Sequence, residues 1–375
     1  MRILFISRTR SDKKNALNHR LTMLARGLEQ LGHRADLLYL GDHLRTNPPI
    51  LSPVGFARLL PRCRGYDAIH AGTAFGGFAP CLYKRHLQAP LIHDMHGDGT
   101  GEMLMKLRFE DHKLKSAFWL MQNSYMEEAV IHRADYHLVV SRPLRQLLLS
   151  HGVPRSRTLL LRNGVDVQAF RPHGRRPGGP FTVCYAGDFQ VWQGVELLLE
   201  ALRRLPELDI RFTFIGFRSK PGDQAWKGRL NRLLGSRAQL IDRLPREDLI
   251  ERLREADLLI LPRPYHRATA VAMPTKFAEY LALGKAVLVT EVDETAQFVR
   301  GHRCGLVSPP TAAGLAQGIV QAHHSGRGKL ESMGRRGRRL AKEVFSWDVI
   351  CRRYDQFLRR ISNPMHSSFM NKSLS

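Results

Sequence analysis

The chain has 375 residues, of which 43% are hydrophobic and 25% charged, a composition typical of a soluble globular protein with room for two domains. Its apolar runs, such as residues 256–262, are much shorter than the ~20 residues of a membrane-spanning helix. The net charge of +24 favours an anionic partner, whether nucleic acid, phospholipid or a phosphate-bearing substrate, although an arginine-rich solvated surface also explains it.

The cysteines and the N-terminus bear on the cellular compartment. The five cysteines are scattered, and no two have the close spacing of a zinc or redox motif. The N-terminus has a short apolar run, residues 3–6, followed by a basic stretch, residues 8–14, which is the reverse of a secretory signal. We therefore expect a cytoplasmic protein.

In the first half of the chain, short apolar runs alternate with helical patterns, as in parallel βαβ units. Strands are predicted at residues 2–7, 35–40, 67–71, 90–93, 136–141 and 158–161. Helices are predicted at residues 17–31, where Gly32 ends the helix, and at 116–134. These elements predict an N-terminal domain over residues 1–170.

The segment RPHGRRPGGP, residues 171–180, has proline, glycine and charge in place of periodicity and predicts a linker. The alternation resumes in a second domain, residues 181–345. Strands are predicted at 181–187, 210–216, 239–241, 257–261, 286–290 and 305–308, and helices at 195–205, 246–255, 275–283, 312–323 and 330–344. A last helix falls within 346–362, and the polar, aperiodic residues 363–375 predict a disordered tail.

The segment MPTKFAEYLALGKAVLVT, residues 273–290, has the features of an anion-binding helix start. Pro274 suits the first turn, and Gly284 suits the exit. The N–H groups and dipole of a helix N-terminus suit a diphosphate, which also explains a cation, Lys276, in the first turn. Glu279, one turn later, is placed to accept hydrogen bonds from ribose hydroxyls. From periodicity alone, an amphipathic helix with surface Lys and Glu explains the segment as well.

This segment resembles the donor-site signature of retaining GT-B glycosyltransferases of group 1, in the subgroup that reads P-[ST]-K-x-x-E-Y. The resemblance implies that Pro274, Thr275 and Lys276 bind the donor diphosphate and that Glu279 binds the nucleotide ribose. Many relatives have a second glutamate eight residues earlier that contacts the sugar, and this chain has Val271 there.

Other stretches match the same family in the same order, so the resemblance covers nearly the whole chain. They are residues 162–172, 185–202, 214–217, 304–310 and 345–348. The implied fold is α/β of the GT-B type, with two Rossmann-like doubly wound domains facing a cleft. The family also implies that the C-terminal helix crosses back to the N-terminal domain.

The glycine loop after the strand at 181–187 departs from the family. Relatives commonly have an arginine soon after Gly187 and a lysine before the next glycine, and both neutralise the leaving diphosphate. This chain has Asp188 and Gln193 at those positions. Loss of two cations beside a departing diphosphate costs several orders of magnitude in rate unless other cations replace them.

Replacement cations are available in the same half of the chain. Gly216 falls where a second glycine turn approaches the donor, and Arg218 follows it. We expect Lys276, Arg218 or Arg263 to supply the missing charge. A catalytically degenerate domain is the alternative.

In the first half, the segment HDMHGDG (residues 93–99) follows a predicted strand. The alternation of Asp94, His96 and Asp98 admits a metal site, and a histidine with purely structural contacts is another reading. The resemblance favours a third, because a family histidine at this strand end approaches the transferred sugar. It implies His96 as a catalytic residue together with Lys276 and Glu279, with Asp94 as a neighbour.

The resemblance implies transfer, with retention, of a sugar from a UDP- or GDP-sugar to a lipid-linked or oligosaccharide acceptor in cell-surface polysaccharide or glycolipid synthesis. No D-x-D motif is present, and we expect no metal cofactor. The basic charge suits peripheral contact with an anionic membrane on its inner face, and the first loop, residues 7–19, suits an anionic acceptor. A nucleic-acid-binding protein is the competing class, but no helix-turn-helix, zinc or aromatic–basic RNA motif supports it, and we expect no nucleic-acid partner. An epimerase or phosphorylase on the same architecture is a third reading.

Overall fold

A computed structural model describes residues 1–13, 15–43, 56–107, 113–173 and 178–362 of the chain. The chain forms two compact units. The first unit comprises Met1–Gly164 and Trp347–Ser375, and the second unit comprises Val165–Ser346. The predicted disordered tail, residues 363–375, lies outside the described residues, as do residues 174–177 of the predicted linker.

The first unit is built on a parallel sheet whose strands are short, apolar and buried. The strands are β1 (Arg2–Ser7), β2 (Arg34–Tyr39), β3 (Ala68–Gly72), β4 (Leu91–Met95), β5 (Tyr136–Val139) and β6 (Thr158–Leu160). Their order in the sheet is β2-β1-β3-β4-β5-β6, and neighbouring strands are parallel. The helices between them are α1 (Ala16–Gln30), α2 (Leu40–His43), α3 (Thr73–Leu82), α4 (Gly99–Leu107), α5 (Lys113–Arg133) and α6 (Arg142–Ser150).

The second unit repeats this architecture. Its strands are β7 (Phe181–Ala186), β8 (Ile210–Phe217), β9 (Ala238–Asp242), β10 (Leu258–Leu261), β11 (Ala286–Thr290) and β12 (Gly305–Ser308). The strand order is β12-β11-β10-β7-β8-β9, again parallel. Its helices are α7 (Val195–Leu202), α8 (Pro221–Leu234), α9 (Arg246–Glu255), α10 (Arg267–Val271), α11 (Thr275–Ala282), α12 (Glu294–His302) and α13 (Ala312–Leu340).

The predicted strands are confirmed to within one or two residues, because buried parallel strands are continuous apolar runs. The two helices predicted at 312–323 and 330–344 form the single segment α13, which is broken at Gly326, where φ is 72°. Several helices were not predicted. One of them, α3, contains Gly76, Gly77 and Pro80, which are poor helix formers, and it packs against β4 and α5.

The C-terminal helix α14 (Trp347–Ile361) belongs to the first unit, as predicted. Its residues Ile350, Tyr354 and Leu358 recur at helical spacing and are buried in one apolar cluster with Leu21 and Leu24 of α1. Helix α14 therefore supplies one side of the first unit's core.

The chain crosses between the units at Gly164 and Val165, not at the predicted linker. Residues 165–170 belong to the second unit because α13 holds them: the Arg338 guanidinium donates to the carbonyl oxygens of Val167 and Phe170, at 2.7 and 2.8 Å. The described part of the predicted linker, 171–173 and 178–180, also lies in the second unit. Proline and glycine there mark a surface loop, not the crossing.

Among the described residues, no helix is long and apolar enough to cross a membrane.

Candidate functional site

In the sheet of the second unit, β8 and β9 lie on one side of β7, and β10, β11 and β12 lie on the other side. The order of the strands therefore reverses between β7 and β10. Ligands of doubly wound sheets bind outside the carboxyl ends of the strands at such a switch point. The loop after β7, residues 187–194, and the segment after β10, residues 262–266, begin there. The predicted donor-site residues lie in these two loops, at the end of β8, or at the start of α11.

Three glycines bring the backbone of this region into close approach. Gly194 has φ of 76°, and a Cβ atom there would lie 1.7 Å from the carbonyl oxygen of Pro262. A Cβ atom on Gly216 would lie 2.5 Å from the carbonyl oxygen of Gly187. A Cβ atom on Gly187 would lie 2.1 Å from Lys276 Nζ. Only glycine fits at 194 and 216, where the obstacle is a backbone carbonyl, whereas at Gly187 the obstacle is the movable end of the Lys276 side chain. The lysine ammonium therefore lies close against the loop.

The ammonium of Lys276 has a neutral partner. Its Nζ donates to Oε1 of Gln193 at 2.7 Å and lies 5.3 Å from the centroid of the Tyr185 ring. Although the side chain as a whole is only partly covered, desolvation of the ammonium, assisted by the nearby Arg263, lowers the pKa of Lys276 to about 8. No described carboxylate lies within ion-pair distance of Nζ. Such a cation is suited to an anionic ligand.

Glu279 lies one turn further along α11 and is partly buried. Burial raises the pKa of its carboxyl group, and Arg246 and Lys276 oppose that rise. The nearest cation is Arg246, with 3.9 Å between Nη2 and Oε1. The neighbouring Tyr280 is buried and donates to the carbonyl oxygen of Ala186 at 3.3 Å, which fixes α11 against the end of β7. The backbone at Glu279 is therefore fixed, and among the described residues no donor is hydrogen-bonded to its carboxylate oxygens.

Helix α11 begins at Thr275, with Pro274 as its N-cap residue. The first N–H groups of a helix have no acceptor within the helix, and Thr275 and Lys276 lie in this first turn. Their binding of a phosphate stays a prediction. The side chain of Lys276 projects from this same turn to the loop at Gly187.

Arg218 and Arg263 each have a carboxylate partner, which the sequence did not show. Arg218 forms an ion pair with Asp188, the residue that stands where relatives have a cation. Nη1 of Arg263 lies 3.2 Å from Oδ2 of Asp293, a buried residue that caps α12 through the Thr295 N–H. Each arginine thus brings less net positive charge to the proposed donor site than predicted. Of the three predicted cations, Lys276 is the one without a carboxylate partner among the described residues.

In the first unit, His96 follows the carboxyl end of β4 and keeps 24% of its side chain exposed. Its Nε2 lies 3.0 Å from Oδ2 of Asp94, but the angle is outside hydrogen-bond geometry, so the contact is electrostatic. Asp94 is fully buried and binds Arg20 through two contacts, Nε–Oδ2 at 2.8 Å and Nη2–Oδ1 at 3.0 Å. The imidazole of His70 also contacts Oδ2, at 3.2 Å.

The sequence reasoning missed Arg20, although one signal was present. Arg20 lies on the same face of α1 as Leu17, Leu21 and Leu24, which is the face that enters the core. An arginine on an apolar helix face needs a buried acceptor. Burial by itself raises the pKa of Asp94, but Arg20 and the two histidines outweigh burial and hold that pKa well below its usual value.

The alternation of Asp94, His96 and Asp98 does not converge on one point. The Oδ1 atom of Asp98 accepts from the Gly101 N–H at 2.8 Å, at the start of α4. Nδ1 of His93 lies 3.3 Å from Nδ1 of His137, and burial lowers the pKa of His93 to about 4. No group of three potential metal ligands is found among the described residues.

Two arginines of the first loop, residues 7–19, lie close to other side chains. The guanidinium of Arg8 lies 4.7 Å from the centroid of the Phe75 ring, and Nε of Arg10 lies 3.4 Å from Asp12. Lys14, which belongs to the predicted basic stretch, is outside the described residues.

Two family models match the chain in succession. The model described as Glycosyltransferase Family 4 matches residues 17–169, and the model described as Glycosyl transferases group 1 matches residues 166–340. Together they include His96 in the first unit and the site around Lys276 in the second. The chain is a glycosyltransferase, and its second unit is similar to those of group 1. The two parallel doubly wound sheets are those of the GT-B fold.

Two curated relatives have more specific names. D-inositol 3-phosphate glycosyltransferase 1 of Catenulispora acidiphila is 25% identical over 302 residues, which are 72% of this chain and 71% of the relative. The putative colanic acid biosynthesis glycosyltransferase WcaL of Escherichia coli is 24% identical over 250 residues, which are 64% of this chain and 60% of the relative.

Among solved structures, HepE of Anabaena in complex with UDP and glucose has a TM-score of 0.69 and 17% identity, and covers 96% of this chain and 100% of its own. The similarity shows that this glycosyltransferase has the same fold.

Proposed function

We propose that this glycosyltransferase transfers a sugar, with retention of anomeric configuration, from a UDP- or GDP-sugar to an acceptor hydroxyl. In the proposal the second unit binds the donor and the first unit binds the acceptor.

The observation that carries the proposal is the environment of the Lys276 ammonium. It is desolvated, its hydrogen-bond partner is the neutral Gln193, and it lies against the backbone at Gly187. Placing a cation in a desolvated position without a counter-ion costs free energy, which a diphosphate beside it would recover. A lysine at that point fits the leaving group of a nucleotide sugar.

The other donor contacts follow from α11. Its N-terminal N–H groups would bind the diphosphate together with Lys276, and the partly buried Glu279 would accept hydrogen bonds from the ribose hydroxyls. These groups are fixed before the reaction, so they stabilise the charge that develops on the leaving diphosphate. With Lys276 and the helix end supplying positive charge, the proposal includes no metal ion.

His96 is proposed to contact the transferred sugar from the first unit. Its ring lies at the carboxyl end of β4 with part of its surface exposed, where ligands of doubly wound sheets bind. The acceptor hydroxyl would attack on the face that the diphosphate leaves, and the departing phosphate would accept its proton.

The acceptor is proposed to be an intermediate of cell-surface polysaccharide or glycolipid synthesis, lipid-linked or an oligosaccharide. The names of the two curated relatives, one acting on an inositol phosphate and one in colanic acid synthesis, support this class. The net charge of +24 suits an anionic acceptor and peripheral contact with the inner face of an anionic membrane.

Calorimetric titration of the full chain with UDP, GDP, UDP-glucose and GDP-mannose tests donor binding. We expect one nucleotide series to bind, and Lys276→Met to weaken that binding about 10–100-fold, because a charge-assisted contact to phosphate is lost. The unfolding temperature without ligand should not fall, because Lys276→Met removes a desolvated cation that has no counter-ion.

The matched control is Lys342→Met, at an exposed position of the same unit, which should leave nucleotide affinity unchanged. Glu279→Ala should weaken the binding of nucleosides and of nucleotides to the same degree. Absence of nucleotide binding by the folded native chain would contradict the proposal. Nucleotide binding without sugar transfer to any acceptor would indicate a degenerate enzyme. NMR analysis of the anomeric configuration of the product decides whether transfer occurs with retention.

A further inference from the structure

The Asp94 carboxylate is the centre of a buried network in the first unit. Arg20 of α1 contacts both of its oxygens, and His70 of β3 contacts Oδ2. The same Oδ2 lies 3.0 Å from Nε2 of His96. Elements far apart in the sequence therefore converge on one carboxylate, which is in contact with the partly exposed imidazole.

Arg20 has further contacts that fix its own position. Nη1 donates to the Arg162 carbonyl oxygen at 2.8 Å and Nη2 to that of Leu161 at 3.0 Å. Nη1 also lies 3.3 Å from Oδ1 of Asn163. The guanidinium thus joins Asp94 to the last residues of the chain before it leaves the first unit.

His70 is fixed from its opposite nitrogen. Its Nδ1 lies 2.8 Å from the hydroxyl of the buried Tyr354 on α14. The two ring nitrogens of His70 therefore link the C-terminal helix to Asp94. The two-point contact with Arg20 and the His70 contact together fix the plane of the Asp94 carboxylate.

We infer that Arg20 and His70 are positioning residues that hold the Asp94 carboxylate, and through it the imidazole of His96, in the arrangement used for sugar transfer. The inference rests on the proposed function, because it gives the proposed catalytic histidine its orientation. An unprotonated Nε2 would face the negative Oδ2 atom of Asp94 with its lone pair at 3.0 Å, so the electrostatic contact favours the proton of His96 on Nε2 and leaves Nδ1 to interact with a substrate.

A purely structural role makes a different prediction. Arg20 and Asp94 would then stabilise the first unit, and the ring of His96 would be indifferent to them. A salt bridge between Arg20 and Asp94 that only stabilised the core would not need a contact between Asp94 and His96. The orientation of the His96 ring is therefore the quantity to measure.

Long-range proton–nitrogen NMR spectra of the full chain, with nitrogen-15 in its histidines, report which ring nitrogen carries the proton. His96→Gln assigns the signals. We expect a fixed Nε2–H tautomer in the native protein, and exchange between tautomers in Arg20→Lys and in Asp94→Asn. Arg20→Lys keeps the charge beside Asp94 but cannot reproduce the two-point contact.

The matched control is Arg157→Lys in the same unit. Arg157 also donates to backbone carbonyl groups, those of Asp135 and Ala134, but it is not bonded to Asp94. The His96 signals and the catalytic rate should be unchanged in this variant.

Steady-state release of UDP from UDP-glucose, or of GDP from GDP-mannose, supplies the second readout. We expect Arg20→Lys to lower kcat about 10–100-fold while the donor KM stays within about twofold, because a catalytic group is misplaced and the donor site is untouched. Unchanged His96 signals in both variants would overturn the inference, and so would altered signals with unchanged kcat. A native protein that binds and releases no nucleotide would contradict the proposed function, and the imidazole spectra would then decide the positioning by themselves.

Discussion

Each unit of this glycosyltransferase places a charged side chain in a desolvated position near the carboxyl edge of its sheet, but the two charges are treated differently. In the first unit Asp94 is matched by a two-point contact with Arg20 and by His70. In the second unit the ammonium of Lys276 is matched by a neutral amide, that of Gln193.

The difference shows what each charge is for. A desolvated charge with a complete set of partners is stable without a ligand, and it serves to position other groups. A desolvated charge with an incomplete set is destabilising until a ligand of opposite sign arrives. The first unit holds the fixed network, and the contrast supports the proposed donor phosphate site in the second.

Removing one member of the matched pair should have the largest effect on stability. Arg20→Met leaves the Asp94 carboxylate buried without its cation, and we expect a loss of about 3–5 kcal/mol in the first unit. Hydrogen exchange of peptides from β1, β3 and β4 measures the loss. Adding Asp94→Asn removes the unpaired charge and should recover part of it. Equal stability of Arg20→Met and the native chain would contradict the contrast.

Two glycines of one loop should separate folding from binding. Gly194→Ala meets the Pro262 carbonyl and requires a left-handed backbone, so we expect a loss of about 2–4 kcal/mol in the second unit. Gly187→Ala meets the end of the Lys276 side chain, which can move, although the φ of 153° at Gly187 also strains an alanine. We therefore expect a smaller loss of stability than for Gly194→Ala, together with weaker nucleotide binding. Urea unfolding and calorimetry on both variants test this, and a reversed order of effects would show that the loop is not built as described.

The pKa of Lys276, about 8, gives nucleotide binding a pH dependence. The lysine is charged below that pH and neutral above it, and a bound diphosphate favours the charged form. Affinity for the nucleoside diphosphate should therefore fall as pH rises from 8 to 9.5, by up to about tenfold per pH unit. Arg263, Asp188, Glu279 and Tyr185 surround the group, and none of them removes the expected sign. Lys276→Met should abolish the dependence, and a native affinity that is flat over this range would contradict it.

The pair of Asp188 and Arg218 should have the smallest effect. Both side chains are substantially exposed, at 47% and 33%, so Asp188→Ala should change stability by less than about 1 kcal/mol. The same substitution releases Arg218 towards the diphosphate, and we expect nucleotide affinity to rise about 2–5-fold. Arg218→Gln should remove that gain. A loss of affinity in Asp188→Ala would instead give Asp188 a direct role in binding.

Much of the fold was predictable from the sequence because the signals are local. A parallel strand buried on both faces is an apolar run, as in β7 and β11, and a helix that packs on a sheet repeats its apolar residues every three or four positions, as in α7. Helices without such repeats were missed. Helix α3, with two glycines and a proline, forms because β4 and α5 cover it.

The amino-acid sequence by itself determined the two doubly wound units, the resemblance to group 1 glycosyltransferases, and the placement of Lys276 and Glu279 on one helix start. The tertiary structure decided which charges are matched. Arg20 and Asp94 are 74 residues apart, Arg218 and Asp188 are 30 apart, and Arg263 and Asp293 are 30 apart. The periodicity of the sequence cannot predict such pairs, because they depend on which strand ends the fold brings together. That pairing leaves Lys276 without a carboxylate partner among the described residues and fixes Asp94 beside His96.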